Sequence, residues 1–284
     1  MSEGQFVQEK LFYGNFMNKE LVKRWQTALI ALPVLFLIVY GSISFFILAL
    51  IAALLSLYEF YGIALKDCSI THEACILGFI ITIAWVLCVY CGYLEYLWML
   101  AVFNLIASAF IVVFRFDGQQ DIIDIVIRQL MGIIYIPGLI GFTLLIHQFE
   151  NGHSWLYVTF LMIFSCDTGG YFMGKQFGKH ALCKSVSPKK TIEGFLGGLA
   201  LCVLSCVVFA SLLNLPMTVG HMIVLSMIVG IVAPIGDLFE SAFKRDANIK
   251  DSGSLLPGHG GLLDRIDALL FAGPLVYGYK VLFL

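Results

Sequence analysis

The sequence predicts an all-α, polytopic integral membrane protein of about nine transmembrane helices, with its N-terminus in the cytoplasm. Three observations predict it. The 284 residues are 60% apolar and only 13% Asp, Glu, Lys or Arg, and the mean hydropathy is +0.92. A soluble globule runs at about 45–50% apolar and about 25% charged, so this chain lacks the polar surface to face water all round. The apolar residues also come in continuous runs of the ~20 residues a helix needs to cross hydrocarbon, without the alternation of a membrane barrel. Finally, Lys and Arg are sorted by loop. Together these exclude a soluble domain, a disordered chain, a coiled coil and a small disulfide scaffold. With a net charge of -2, no nucleic-acid partner is expected.

The elements follow in order. Residues 1–26 form a polar, cytoplasmic N-terminal segment of mixed charge with no cleavable signal pattern. Gly, Pro and charge interruptions then divide the chain into candidate spans at 27–40, 43–64, 75–93, 97–114, 122–146, 154–174, 192–213, 219–242 and 263–283. About five of these fall in an N-terminal region, 27–150, and about four in a C-terminal catalytic region, 151–284, with cytoplasmic loops at 175–191 and 245–262. Of the 17 basic residues all but Lys280 lie in the N-terminal segment or near even-numbered connections, and the positive-inside rule makes that side cytoplasmic. The eight cysteines mostly sit inside apolar runs as small hydrophobes. Cys88 and Cys91 have CxxC spacing but no second pair, a weak metal or redox signal.

The two regions differ in chemistry. Glu59 is the main acid well inside an N-terminal span, whereas Asp167, Glu193, Asp237, Glu240, Asp264 and Asp267 gather at the cytoplasmic ends of C-terminal spans. Ionisable groups inside membrane segments are expensive and mark functional cavities; single acids of this kind also serve as helix caps at the interface. Asp237, Glu240, Ser241 and Lys244 follow i, i+3, i+4, i+7 and share one helix face. Pro257, Gly258, His259, Gly260 and Gly261 then form a Gly-rich turn into a helix, a place where backbone N–H groups meet anions. Asp264 and Asp267, one turn apart around Arg265, suit Mg²⁺, which prefers hard oxygen ligands. Ser187, Lys189, Lys190 and Thr191 precede another helix start and make either a phosphate seat or a positive-inside anchor. Gly170, Gly174 and Gly178, spaced by four, read as close helix packing rather than ligand contact.

The run Ser241 to Asp267 resembles the signature of the phosphatidate cytidylyltransferases, also called CDP-diacylglycerol synthases. Its specified positions are filled by Ser241, Lys244, Arg245, Lys250, Asp251, Pro257, Gly258, His259, Gly260, Gly261, Asp264, Arg265 and Asp267. Ser187–Thr191 with Glu193 and Gly194 resembles a second block of that family, and Ser165–Thr168 a third. The resemblance implies Mg²⁺-dependent transfer of a cytidylyl group from CTP to phosphatidate at the cytoplasmic membrane surface, giving CDP-diacylglycerol and pyrophosphate for phospholipid biosynthesis. It implies Asp237 and Asp264 as leading metal ligands, a second cation such as K⁺, and a homodimer. Asp267, like Glu193, is a second metal candidate. Lys189, Lys190, Lys244, Arg245 and Arg265 are expected at phosphates, and Ser187, Thr191, Ser241 and His259 as positioning donors. Gly260 and Gly261 are expected to offer backbone N–H groups, and Lys250 and Asp251 to order the loop 246–258. The short polar N-terminal segment fits a bacterial inner-membrane protein. Two other readings compete: another CTP-using membrane enzyme, such as a polyprenol kinase or an archaeal-type lipid cytidylyltransferase, and a transporter, which calls for inverted repeats that are not visible.

Overall fold

The computed structural model describes residues 39–65, 71–115, 122–210, 217–253 and 260–284. The N-terminal segment 1–26, the first candidate span up to residue 38, and His259 lie outside them. Two compact units make up the chain, divided after Phe45. In the described part of the first, residues 39–45, the Phe45 amide donates to the Gly41 carbonyl at 2.9 Å. The second, Phe46–Leu284, holds the rest.

The helices are α1 (Ser42–Ala64), α2 (Thr71–Cys91), α3 (Tyr96–Arg115), α4 (Ile122–Ile133), α5 (Leu139–His147), α6 (Gly152–Phe177), α7 (Ile192–Ala210), α8 (Val219–Asp246) and α9 (Leu263–Phe283). Counting α4 to α5 as one, eight segments among the described residues are long and apolar enough to cross a membrane. Each coincides with an expected span to within a few residues. Their outer faces carry exposed Phe103, Phe110, Leu204 and Val208, a surface suited to hydrocarbon rather than water.

Two expected features differ. The span 122–146 is not one α-helix: Ile134–Gly138 widens into a π-helical turn. Pro137 within it has no N–H to donate and its ring crowds the preceding turn, and a π turn absorbs that misfit. The loop 175–191 is also structured. Helix α6 continues to Phe177, and a β-hairpin follows, β1 (Ala181–Cys183) antiparallel to β2 (Ser187–Thr191). Ala181 faces Thr191 and Cys183 faces Ser187, with a register irregularity between them. Pro188 and a lysine-rich composition hide such a strand from pattern reading, since proline is confined to edges where no amide is needed.

Small residues bring the C-terminal helices together. A Cβ on Gly169 would sit 2.7 Å from the Gly197 carbonyl oxygen, and one on Gly194 would sit 2.8 Å from that of Gly170. Helices α6 and α7 therefore cross backbone to backbone, as the glycine spacing predicts. Gly236 does the same for α8 and α9, facing the Asp267 carbonyl oxygen at 2.7 Å. Helix α9 also packs against α5. Pro234 inside α8 leaves the Gly230 carbonyl without its helical amide; the Cys166 thiol of α6 donates to it at 3.8 Å. Phe60, Tyr135, Phe239, Phe243 and Phe271 form an aromatic cluster with edge-on and tilted rings, joining α1 and the π turn to α8 and α9.

Candidate active site

Four chain segments supply the site: the end of α6, the hairpin with the start of α7, the end of α8 and the start of α9. A cavity of about 400 Å³ lies among the first two, lined by Asp167, Lys189, Lys190 and Thr191 on its polar side and by Tyr171, Leu182, Phe195 and Pro234 on its apolar side. Lys190 extends from β2 to an ion pair with Asp237 of α8. The Ser241 hydroxyl, one turn further along α8, donates to the same carboxylate at 3.3 Å. Asp167, Asp237 and Asp267 lie within electrostatic range of one another, and Arg265 within range of Asp167. Asp267 is buried, and its Oδ1 accepts from the Ala268 amide at 2.7 Å.

The hairpin is tied at both ends. The Glu193 carboxylate accepts from the Lys179 and His180 amides at 3.0 and 3.2 Å and meets His180 Nδ1 at 2.6 Å. At the tip, Arg245 donates from Nε to the Val186 carbonyl at 3.2 Å and from Nη1 to that of Ile249 at 2.9 Å. Thr191 caps α7, its hydroxyl accepting from the Gly194 amide at 3.1 Å. Ser187 sits opposite Cys183 in the strand pair. Lys189 is exposed on the cavity.

Beside this group lies a buried three-membered network. Lys244 bonds the Glu240 carboxylate one turn back and Asp264 of α9 at 2.5 Å. Asp264 Oδ2 also accepts from the amides of Ser252 at 3.1 Å and Gly261 at 2.9 Å. Gly260 has φ +81°, a left-handed conformation that favours glycine. Asp251, exposed, lies next to Gly260, and Lys250 is exposed on the same turn.

The structure thus brings Lys190 and Ser241 to Asp237, and Asp267 and Arg265 into electrostatic range of Asp167, which lines the cavity with Lys190. It places Lys244 between two carboxylates, and Arg245 on backbone carbonyls. The turn's donors are also engaged: Gly261 serves Asp264, while the Leu262 and Leu263 amides serve Glu59 of α1 at 3.0 and 2.8 Å. The anion at the start of α9 is therefore a side chain of the protein itself. Among the described residues no three His, Cys, Asp or Glu groups stand at metal-binding spacing. Asp167, Asp237 and Asp267 nevertheless offer only hard oxygens, which fits a Mg²⁺ that takes one or two carboxylates and completes its shell with waters and substrate phosphates.

Residues 22–283 match the model of the cytidylyltransferase family. The chain belongs to that family. Phosphatidate cytidylyltransferase of Bacillus subtilis is 39% identical over 134 residues, 47% of this chain and 50% of that protein. The protein of the same name from Staphylococcus aureus is 40% identical over 147 residues, 52% of this chain and 56% of its own. The chain spans about half the length of the curated relatives it matches.

Four residues of this family member escaped assignment from the sequence. Asp167, in the third block, and Glu240 were visible as acids in spans but were given no role. Glu59 is 3% exposed and hydrogen-bonded across the molecule to α9; its signal was a lone carboxylate in an apolar span. Tyr135 sits in the π turn, and its hydroxyl lies in electrostatic range of Glu240, Asp267 and Asp237. The proline after it was the only sequence hint.

Proposed function

We propose that this chain transfers the cytidylyl group of CTP to phosphatidate, giving CDP-diacylglycerol and pyrophosphate for phospholipid biosynthesis. One observation carries the reading: Asp167, Lys189 and Lys190 form the polar side of a cavity whose other wall is apolar, and Lys190 ties that side to Asp237 of α8. A lipid phosphate and a nucleotide triphosphate need that combination, and the relatives' names supply the substrates. In the step, a phosphatidate oxygen, already anionic near neutral pH, attacks the α-phosphorus of CTP. The new O–P bond forms as the bond from that phosphorus to the bridging oxygen breaks, and pyrophosphate leaves with the electron pair. No strong base is required. The task is to hold two polyanions in line, and a well-oriented pair reacts as though at a very high effective concentration.

Lys189, Lys190 and Arg265 offset the phosphate charge, and Ser241 orients Asp237. Mg²⁺, when bound, supplies Lewis-acid stabilisation of charge on the phosphoryl oxygens and leaving group; Asp237 and Asp264, with Asp267 as a further candidate, would hold it. Asp264 contributes by fixing the start of α9, and a second cation such as K⁺ belongs to the same reading. The face bearing the hairpin is cytoplasmic by the positive-inside rule, in the inner membrane of a bacterium, and the working form is a homodimer.

The test is direct. Purified protein receives cytidine-labelled CTP, phosphatidic acid and Mg²⁺. Label is expected in an organic-phase lipid, with one pyrophosphate released per lipid formed. Cytidylyl transfer to an archaeal-type ether lipid phosphate in preference to phosphatidic acid, or phosphorylation of a polyprenol with release of labelled CDP, refutes the substrate, and absence of cytidylyl transfer to any lipid phosphate refutes the activity.

A further inference from the structure

We propose that Glu59 is a positioning residue for this reaction, holding the start of α9 from a helix that carries none of the motif residues. The proposal rests on the function argued above. Glu59 lies inside α1, 3% exposed. Its Oε1 accepts from the Leu262 amide at 3.0 Å, and its Oε2 from the Leu263 amide at 2.8 Å and the Ser252 hydroxyl at 3.2 Å. A carboxylate there satisfies amides that a helix start leaves unpaired and complements the helix dipole. The fit is close: a Cβ on Gly253 or on Gly261 would stand 2.6 Å from a Glu59 oxygen. Glycine at those two positions thus makes room for this side chain.

The link to the chemistry is Ser252. Its hydroxyl bonds Glu59 while its amide bonds Asp264. Two carboxylates thus hold the same residue, so a shift of Ser252 on loss of Glu59 reaches Asp264 directly. Asp264 in turn holds Lys244, and Asp267 follows one turn along α9. Only a carboxylate suits the place. Glutamine keeps one acceptor oxygen and turns an NH₂ donor towards N–H or O–H donors.

The test compares Glu59→Gln, Glu59→Asp and Ser252→Ala with the unaltered protein, each as the monodisperse fraction in detergent. For Glu59→Gln, kcat is expected to fall on the order of 10²-fold with KM for CTP changed less than about threefold, the pattern of misplaced rather than lost binding groups. Hydrogen exchange across 260–266 is expected to speed up by about tenfold or more, since the Leu262 and Leu263 amides that start the helix lose an acceptor oxygen of Glu59. Glu59→Asp recovers part of kcat. Ser252→Ala, which keeps the carboxylate, lowers kcat about tenfold and decides the matter if the glutamine variant does not fold. A purely structural role would lower yield or thermal midpoint and leave kcat of the folded fraction intact. Folded variants with kcat within twofold of the unaltered protein, or unchanged exchange at 260–266, overturn the proposal. If the unaltered protein transfers no cytidylyl group, the functional reading fails instead, and the exchange comparison still reads the positioning.

Discussion

Gly169→Ala tests whether the helix crossing behind the cavity controls the chemistry. Gly169 is buried in α6, two residues beyond Asp167. A methyl group there would meet the Gly197 carbonyl oxygen at 2.7 Å, Leu201 Cβ at 2.9 Å and Gly198 Cα at 3.0 Å. Ordinary contact begins at 3.4 Å, and two of the three neighbours are backbone, so α6 and α7 must part by about 0.5 Å or more, an overpacking that costs about 1–3 kcal/mol. Asp167 moves with α6, and Lys190 and Thr191 sit where the hairpin joins α7. A misplacement on that scale costs about 10–100-fold in rate, because a 1 Å error in position is worth about 10². The assay is steady-state cytidylyl transfer by the folded fraction, with kcat and KM separated. Gly278→Ala is the control: the same change on α9, with nothing within 4 Å of the new Cβ, should leave kcat unaltered. If Gly169→Ala keeps more than half of the normal kcat, the crossing does not set the site's geometry and the reasoning fails.

Asp264→Asn should cut transfer by about 10²-fold or more while the protein inserts and folds, because Asn has one acceptor oxygen for the several donors aimed at Asp264; near-normal CDP-diacylglycerol formation refutes its placement in the machinery. Lys244→Met leaves Glu240, 1% exposed, and Asp264 without their shared cation, which should cost about 3–5 kcal/mol. Thermal unfolding in detergent checks it, and an unshifted midpoint counts against the buried network. A cysteine replacing exposed Ser185, in a background without Cys91 and Cys183, should react only with reagents that reach the cytoplasm; labelling from outside overturns the orientation.

Hydropathy made the spans legible because lipid imposes one requirement on every residue of a helix, and the expected span at 263–283 coincides with α9. Helix periodicity likewise placed Asp237, Ser241 and Lys244 on one face, and Ser241 does bond Asp237. Motif spacing gathered Asp237, Asp264 and Arg265 into one region. Partner choice was not legible. Lys244 reads as a phosphate ligand in one dimension, yet two carboxylates enclose it in three. The turn into α9 reads as an anion seat, but its donors are taken by the protein: Gly261 serves Asp264, and the Leu262 and Leu263 amides serve Glu59, some 200 positions away. No local rule reaches across that separation. The hairpin was hidden because its strands are too short and too charged to show alternation, and the π turn because a proline in a span predicts a break without saying which kind.

The buried network also changes where the cations for phosphate must come from. Two carboxylates enclose Lys244, so it has no positive surplus to offer an incoming polyanion. Lys189 and Lys190 lie on the cavity instead, and a strand suits them better than a loop. Neighbouring side chains on a strand point to opposite faces, so fixing Lys190 on Asp237 directs Lys189 elsewhere, and Lys189 is indeed exposed. The same logic explains Arg245. Its bond to Val186 anchors the hairpin tip while Glu193 and His180 anchor the base, so this arginine helps to decide where two lysines stand. The cations then divide by what they touch: Lys189 and Lys190 line the cavity, while Lys244 joins two carboxylates and Arg245 two backbone carbonyls.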